Sequence, residues 1–360
     1  MDEQQTAPVQ QLLHELSQAA GAPGQEQPVR QMMQRHLEPL GEIRFDNLGG
    51  IACRKVGQAD GPTVMLAGHM DEVGFLVRRI TREGFLKFQP LGGWSNQVLL
   101  SHRVEISTRN GPVLGVIGAK PRHLIPPDER RKMVDIEEMF IDIGASSDEE
   151  ARAWGVRPGD PIVPVSPLMV MRNPRLLMAK AWDNRVGCAL VIEVLRQLQN
   201  QPHPNIVYGV GTVQEEIGLR GAKTMANLVE PDIGLILEGC PAGDTPDVPL
   251  DESSVALGKG PTISLYDRSM VPHVGLRNLV VECAEAQGIP IQYRISRGGT
   301  DGGEIHLSGK GVPSLVVSVP ARYIHSHNAI LHLDDVLQTA RLIVAVVRCL
   351  DAETVARIKQ

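Results

Sequence analysis

Apolar residues recur at helical spacing through residues 8–20, where Leu12, Leu13, Leu16 and Ala20 share a face and Gly21 and Pro23 end the run. A second predicted helix carries Val29, Met32, Met33 and Leu37 on one side. Two short strands then flank the turn Asp46-Asn47-Leu48-Gly49-Gly50, and a buried strand, Thr63 to Ala67, runs straight into Gly68-His69-Met70-Asp71-Glu72. From about Phe75 to Val165 the period changes. Short alternating segments (FLVRRI, FLKFQPL, RVEIST, PVLGVIGA) are separated by Gly and Asn, with no helical pattern before Ser146. This texture predicts a small β-barrel or sandwich inserted in an α/β domain. Within it Pro121 to Met139, dense in charge and proline, reads as a mobile loop.

After Pro167 the α/β rhythm returns. A helix over Asp183–Leu198 presents Val186, Leu190, Val194 and Leu198, and the strand Asn205–Val213 follows. Next come a short helix near Gly221–Leu228 and strands at Asp232–Leu237 and Thr262–Tyr266. A helix at Val274–Gln287, a strand at Ile289–Ile295 and a helix from Thr300 lead to the strand Ser314–Val319 and the helix Leu333–Leu350. No internal repeat or low-complexity tract interrupts this order. The expected fold is therefore α/β, a mixed sheet with helices on both faces. Residues 1–74 and 166–360 form its discontinuous main domain and 75–165 the inserted β module.

Several buried strands end abruptly in charge. The apolar run NIVYGVGTV, from Asn205, stops at Glu215, Glu216 and Gly218, and the run GLIL stops at Glu238. Open α/β sheets place ligands at the carboxyl ends of their strands. A lone Glu-Glu pair is ordinarily a solvated turn. A lone His69 is ordinarily a hydrogen-bonded structural imidazole, and Asp183 on its own would serve as a helix cap. The five clusters together, at His69/Asp71, Asp183, Glu215/Glu216, Glu238 and His325, change that reading. Two imidazoles and three carboxylates suit a pair of divalent ions such as zinc, cobalt or manganese. One carboxylate must bridge the ions, and a further one, not a ligand, can take the proton of a metal-bound water. The Glu-Glu pair offers both roles from adjacent positions. In His69-Met70-Asp71 the two-residue offset lets Asp71 accept the second ring N–H of the imidazole.

Composition adds limits. At 360 residues with 42% hydrophobic content the chain is long for a single core. A formal charge of -6 argues against a nucleic-acid partner or an anionic membrane surface. No apolar run nears the roughly 20 residues of a membrane helix, and the acidic, polar amino terminus is no signal peptide. The five cysteines (Cys53, Cys188, Cys240, Cys283, Cys349) form no CxxC pair and fit reduced thiols in a cytoplasm.

The stretches AGHMDEVGF (67–75), KAWDNRVGC (180–188), VQEEIGLRGA (213–222), GGTDGGEIHLSGKGVP (298–313) and ARYIHS (321–326) are familiar as a set. In them the chain resembles the cytosolic tetrahedral aminopeptidases, dinuclear metallopeptidases related to glutamyl aminopeptidase, some long labelled endoglucanases. The resemblance spans nearly the whole chain. It implies a zinc-peptidase-like catalytic domain with a PDZ-like β-barrel insert, and removal of N-terminal residues from short peptides. It also implies two ions per subunit. His69, Asp183 and Glu238 would surround one, and Asp183, Glu216 and His325 the other, with Asp183 bridging. Glu215 would be the general base, taking a proton from the bridging water, and Asp71 the orienting residue. Thr300 and Asp301 would line the substrate site, Asp301 near the free α-amino group. The insert would serve dimerisation, dimers building a twelve-subunit particle, with loop 121–139 approaching a neighbour's pocket.

Two positions depart from the family's pattern. Glu238 stands where Asp is frequent, so Asp244 competes for that ligand role. His327-Asn328 stands where relatives often have proline, which leaves His327 as a substrate contact or a plain loop residue. Arg297 and Lys259 are basic residues through which acidic side chains would be favoured. Three other readings keep the same residues: a dinuclear deacylase of N-acyl amino acids, a metal-free glycosidase, and a metal-stabilised assembly protein without turnover. Neither the preferred N-terminal residue nor the physiological metal is legible in the chain.

Overall fold

Four apolar runs that end in charge lie side by side as parallel strands at the centre of one sheet. The computed structural model describes residues 3–128, 132–249 and 254–360. In chain order its strands are β1 (Glu42–Phe45), β2 (Ile51–Val56) and β3 (Thr63–His69), then β4 (Gly74–Ile80), β5 (Leu86–Leu91), β6 (Arg103–Thr108), β7 (Gly111–Gly118), β8 (Phe140–Asp142) and β9 (Pro161–Pro164). They continue as β10 (Met169–Val170), β11 (Leu176–Ala179), β12 (Ile206–Thr212), β13 (Ile233–Pro241), β14 (Thr262–Tyr266), β15 (Gln292–Ile295), β16 (Ser314–Arg322) and β17 (Ala329–His332). The main sheet runs β1-β2-β12-β3-β13-β16-β17-β11-β10, with β14 joined to β16 and β15 to β14. Its core, β12-β3-β13-β16, is parallel, so the carboxyl ends of these strands share one edge. The flanking pairs β1-β2, β16-β17 and β11-β17 are antiparallel, which makes the sheet mixed as expected.

Helices cover both faces. On one side α1 (Glu3–Gln18), α2 (Gln27–Leu37), α4 (Trp182–Gln197), α6 (Val274–Ala286), α8 (Leu333–Cys349) and α9 (Ala352–Ile358) pack into a core with Leu66, Leu190, Leu235 and Val317. On the other, α5 (Arg220–Val229) and the one-turn α7 (Gly302–Ile305) cover Met65, Ala67, Val210 and Ile236. The remaining helix, α3 (Asp148–Ala153), belongs to the inserted module, where β4-β5-β8-β7-β6-β9 close a barrel. Its separate core centres on Phe75, stacked on Trp94 at 4.8 Å and edge-on to Phe88 at 5.0 Å.

The differences from expectation are local. The helix expected from Thr300 is a single turn, and the strand expected from Ile289 begins at Gln292. The short strands β10, β11 and β17 and the terminal α9 carry too few residues for a period to register. β11 and β17 are strands because each pairs with the other, and β17 also with β16. Of loop 121–139, the described residues form two single 3-10 turns, Arg122–Leu124 and Ile136–Glu138, and residues 129–131 lie outside the description.

One close approach places the site. A Cβ on Gly68 would lie 2.6 Å from the carbonyl carbon of Gly187, so the end of β3 meets the start of α4 backbone to backbone. That contact brings the segment after β3 against the residues that open α4.

Candidate metal centre

His69, the last residue of β3, lies in register with Thr212, and the Glu215-Glu216 pair follows three residues beyond. Glu238 lies within β13 and His325 in the turn after β16. Asp183 stands at the head of α4 with non-helical dihedrals. It is not that helix's cap: the Asn184 carboxamide oxygen accepts the Gly187 N–H at 3.0 Å and its NH₂ donates to the Leu237 carbonyl at 2.9 Å. Asp183 is thereby free to face the sheet edge.

The five predicted ligands converge there. Asp183 Oδ1 is 3.1 Å from His69 Nε2, and its Oδ2 is 3.4 Å from His325 Nε2. Glu238 Oε1 lies 3.4 Å from His69 Nε2, and Glu216 Oε1 lies 3.6 Å from His325 Nε2. A tetrahedral zinc ion with bonds near 2.1 Å separates its ligand atoms by about 3.4 Å. Both triads, His69-Asp183-Glu238 and Asp183-Glu216-His325, therefore have the spacing of an ion's donor set, and they share only Asp183, through different oxygens. A third grouping, His69-Glu215-Glu216, would use His69 and Glu216 twice. Its Glu215 Oε2 lies 3.8 Å from His69 Nε2, farther than the Asp183 and Glu238 oxygens. The oxygens Glu216 Oε1 and Glu238 Oε2 are buried without a hydrogen-bond partner, as unfilled ligand positions would be.

Neighbouring groups aim these side chains. Asp71, fully buried, accepts the N–H of Glu215 at 3.1 Å and of Glu216 at 3.0 Å, one on each carboxylate oxygen. His69 Nδ1 faces the same residue, 3.1 Å from its carbonyl and 3.4 Å from Oδ1, which turns Nε2 toward the cluster. Asp71 thus orients the Glu-Glu turn as well as the imidazole. His325 Nδ1 donates to the Gly93 carbonyl at 2.8 Å, so the barrel module fixes the outer imidazole. Next to it Gly92, at φ 88°, has no room for a side chain: a Cβ would lie 2.7 Å from Val73 and 3.2 Å from Glu216 Oε2. Glu26, which the sequence reading missed, accepts the N–H of Gly24 at 2.7 Å and of Gln214 at 3.1 Å. Gln214 is left-handed (φ 58°), and this bond holds the bend that delivers Glu215 and Glu216.

The charges are strongly perturbed. Burial pushes the Glu215 carboxyl well above its ordinary range, and the nearby Asp301, Glu238 and Glu216 push the same way. Glu216 rises to about 8 and Glu238 to about 7, again chiefly through burial. Burial acts against the charged imidazoles too, but the Asp183 hydrogen bond and the Glu216 charge overcome it and lift His325 to about 10. Glu238 and Glu215 likewise overcome burial and raise His69. Asp183, although buried, is held below its usual range by its bonds to His325 and His69. The cluster thus favours cationic imidazoles among excess carboxylates, which is the charge balance that divalent cations restore.

The ligand atoms open onto a cavity of about 740 Å³ whose wall includes Asp183, Glu215, Glu216, Glu238 and His325. Thr300 also lines it, although its hydroxyl donates to Asp267 at 3.0 Å. Asp301 does not. It is 1% exposed, takes the Thr212 hydroxyl on Oδ2 and leaves Oδ1 buried without a hydrogen-bond partner. Asp244 is out of contention as a ligand, because both its oxygens pair with Arg322, at 2.8 and 2.6 Å. His327 is neither a substrate contact nor a plain loop residue: it is 1% exposed and stacks on His102 of the barrel at 3.8 Å. Arg297 and Lys259 are absent from the cavity wall, where the basic residues are Arg268 and Arg294.

Beneath the cluster lies a buried ion network. Glu72 Oε1 accepts from Lys180 Nζ and from Arg185 Nη2, the latter at 3.0 Å. Arg185 also donates to the carbonyls of Met70, Leu16 and Ala19 at 2.7–2.8 Å, tying the end of α1 and the His69–Asp71 segment to α4. The three side chains are at most 4% exposed. Removing one member of such a buried set strands the others' charge, at about 3–5 kcal/mol. Glu72→Gln is accordingly expected to lower unfolding free energy by about 3 kcal/mol or more. Lys180, whose burial already lowers its pKa, limits the loss by shedding its proton. Urea unfolding of wild type and variant checks this, and equal stabilities would show the network to be neutral.

A family model described as M42 glutamyl aminopeptidase matches residues 35–342. The glutamyl aminopeptidase of Lactococcus lactis subsp. cremoris is 35% identical over 348 residues, covering 96% of this chain and 97% of that one. Among solved structures, a TET aminopeptidase from a marine sediment archaeon, Thaumarchaeota archaeon, superposes with TM-score 0.95 at 46% identity, covering 98% of this chain and 99% of that one. The Pyrococcus horikoshii TET1 peptidase, which can assemble into a tetrahedron or a large octahedral shell, matches with TM-score 0.84 at 32% identity over 94% and 99% of the two chains.

Proposed function

The chain belongs to the M42 glutamyl aminopeptidase family of peptide-bond hydrolases, and from that premise we propose that it removes N-terminal residues from short peptides with two divalent ions per subunit. The observation that carries the reading is Asp183, which turns one oxygen to each imidazole of a cluster that also contains Glu215. His69, Asp183 and Glu238 would hold one ion and Asp183, Glu216 and His325 the other. When bound, such ions supply Lewis acidity and a water acidic enough to attack near neutral pH. Oxygen and nitrogen donors suit zinc or cobalt, with manganese a third choice.

The protein's own groups do the rest. Glu215, on the cavity wall with its backbone N–H pinned by Asp71, takes a proton from the attacking water and returns it to the departing amine. Asp71 and the Gly93 carbonyl hold the Nδ1 side of the two imidazoles and leave each Nε2 toward the cluster. We also read the chain as forming a large homo-oligomer, dimers through the barrel building a dodecamer, as the assembly of the Pyrococcus relative supports. Five free cysteines, four of them buried, support a cytoplasmic site of action.

The test pairs chelation with a blocked substrate. Chelator-stripped protein is expected to lose cleavage of aminoacyl anilides and to regain it with zinc, cobalt or manganese, while the N-acetylated anilides stay intact. Hydrolysis of N-acetyl amino acids with free anilides untouched would make it a deacylase, and activity insensitive to chelation would remove the metals from the reading. Light scattering of the same preparation should give many times the 39.2 kDa of one chain, and a monomer would exclude the assembly.

A further inference from the structure

The two-ion reading, on which this inference rests, needs both imidazoles held still, and different parts of the molecule hold them. His69 ends a central strand and its side chain is 1% exposed, so the sheet and its covering helices fix it. His325 lacks that support: it follows β16 in a turn, and its side chain is 35% exposed. The turn is also strained, because Tyr323 (φ 60°) and His325 itself (φ 55°) are left-handed. Such a segment keeps one shape only where its surroundings over-determine it. Within the turn, Ser326 Oγ donates to the Tyr323 carbonyl at 2.6 Å and accepts the Asn328 N–H at 3.3 Å.

Three anchors beyond the turn come from the inserted module and the segment leaving it. The first is the Gly93 carbonyl on His325 Nδ1. The second is Ser166 Oγ, just past β9, which donates to Asn328 Oδ1 at 2.7 Å. The third is the ring of His327, which stacks on His102 with the planes 26° apart and lies 5.7 Å from the ring of Trp94. Both of its neighbours are themselves fixed: the Ile117 N–H donates to the His102 carbonyl at 3.0 Å, and Trp94 Nε1 donates to the Gly74 carbonyl at 3.1 Å. Among the described residues neither ring nitrogen of His327, both buried, has a hydrogen-bond partner. A buried imidazole that makes no hydrogen bond contributes its flat face and not its nitrogens. That face ties the ligand two positions earlier to the barrel.

We propose that His327 and His102 are positioning residues: their stacked rings lock the His325 turn against the barrel and so complete the donor set Asp183-Glu216-His325. The full chain, chelator-stripped, would be titrated with zinc alone, and the ions counted by elemental analysis after dialysis at each zinc level. Wild type is expected to take up two ions per chain. His327→Ala should bind its first ion as wild type does and its second about ten- to hundredfold more weakly, the usual cost of removing a group that orients a ligand. Excess zinc should then restore kcat with KM unchanged, which damage to the fold would not allow. His327→Phe, with a flat ring and no nitrogens, should recover the second-ion affinity. His102→Ala repeats the test from the barrel side and decides it if His327→Ala does not fold. A weakened second ion in either alanine variant, with recovery in His327→Phe, supports the proposal. Unchanged second-ion affinity in the alanine variants, equal weakening of both ions, or a His327→Phe no better than alanine overturns it. Fewer than two ions in wild type overturns the two-ion reading itself, and this inference with it.

Discussion

Glu215→Gln is expected to keep both ions and to slow anilide turnover by about 10²–10⁴-fold, the usual contribution of a positioned acid-base group. The substitution removes one ionisable oxygen and nothing else that orders the site. The bond to Asp71 is made by the backbone N–H, so the Glu-Glu turn keeps its anchor. Glu215 lies outside both donor triads built on Asp183, so the ions should stay. The sign of the stability change follows from the raised pKa. An acid whose folded pKa lies above its unfolded value opposes folding once pH exceeds the unfolded value of about 4.3. The neutral amide removes that opposition, so metal-free Glu215→Gln should be at least as stable as wild type at pH 7. Metal content by elemental analysis and kcat on one anilide decide the matter together. A near-normal rate would take Glu215 out of the base role, and lost ions would make it a ligand.

What was legible beforehand divides along physical lines. The strands β3, β12, β13 and β16 could be read because each is a continuous apolar run, buried on both faces, that ends in polar residues. The same feature exposed His69, Glu215, Glu216 and Glu238, since charge interrupting such a run has to find a partner. The barrel announced itself by its change of period. What stayed hidden depends on contacts far apart in the chain. Glu26 sits in the polar run PGQEQP and looks solvated, yet the Gln214 bend closes over it and burial lifts it to about 7. Lys180 and Arg185 look like surface charges until Glu72 is placed between them. Asp301 was expected to face a ligand from its glycine-rich loop, but it is buried just before the single-turn α7 and accepts the Thr212 hydroxyl. Arg268 and Arg294 line the cavity from a loop and an edge strand, positions that no local pattern marks. The candidate ligands were visible because most of them sit at strand ends, where local pattern registers, and the residues that support them were not because they meet only in the fold.

Asp183→Asn should have the larger effect on the metal centre itself: loss of both ions and, with them, of all measurable turnover. Asp183 is the member common to the two triads, and it offers a separate oxygen to each. An amide keeps the shape but replaces one anionic oxygen with an NH₂ that cannot ligate, so one triad loses a donor and both lose the shared charge. The imidazoles lose as well. In the metal-free wild type, hydrogen bonding to Asp183 helps raise His325 to about 10. A base raised above its unfolded value of about 6.5 stabilises the fold fully below that value and loses the effect as pH rises through the folded value. That stabilisation is present in wild type at neutral pH, and Asp183→Asn should forfeit much of it. The same protons compete with metal, because a histidine must be neutral to ligate. Wild-type metal affinity is therefore expected to climb as pH rises from 6 toward 9, with protons released on binding. Calorimetric titration with zinc in buffers of different ionisation enthalpy measures that release directly, and elemental analysis after dialysis counts the ions. If Asp183→Asn kept two ions per chain, or if wild-type binding were indifferent to pH, the bridge would have to be sought among the other carboxylates.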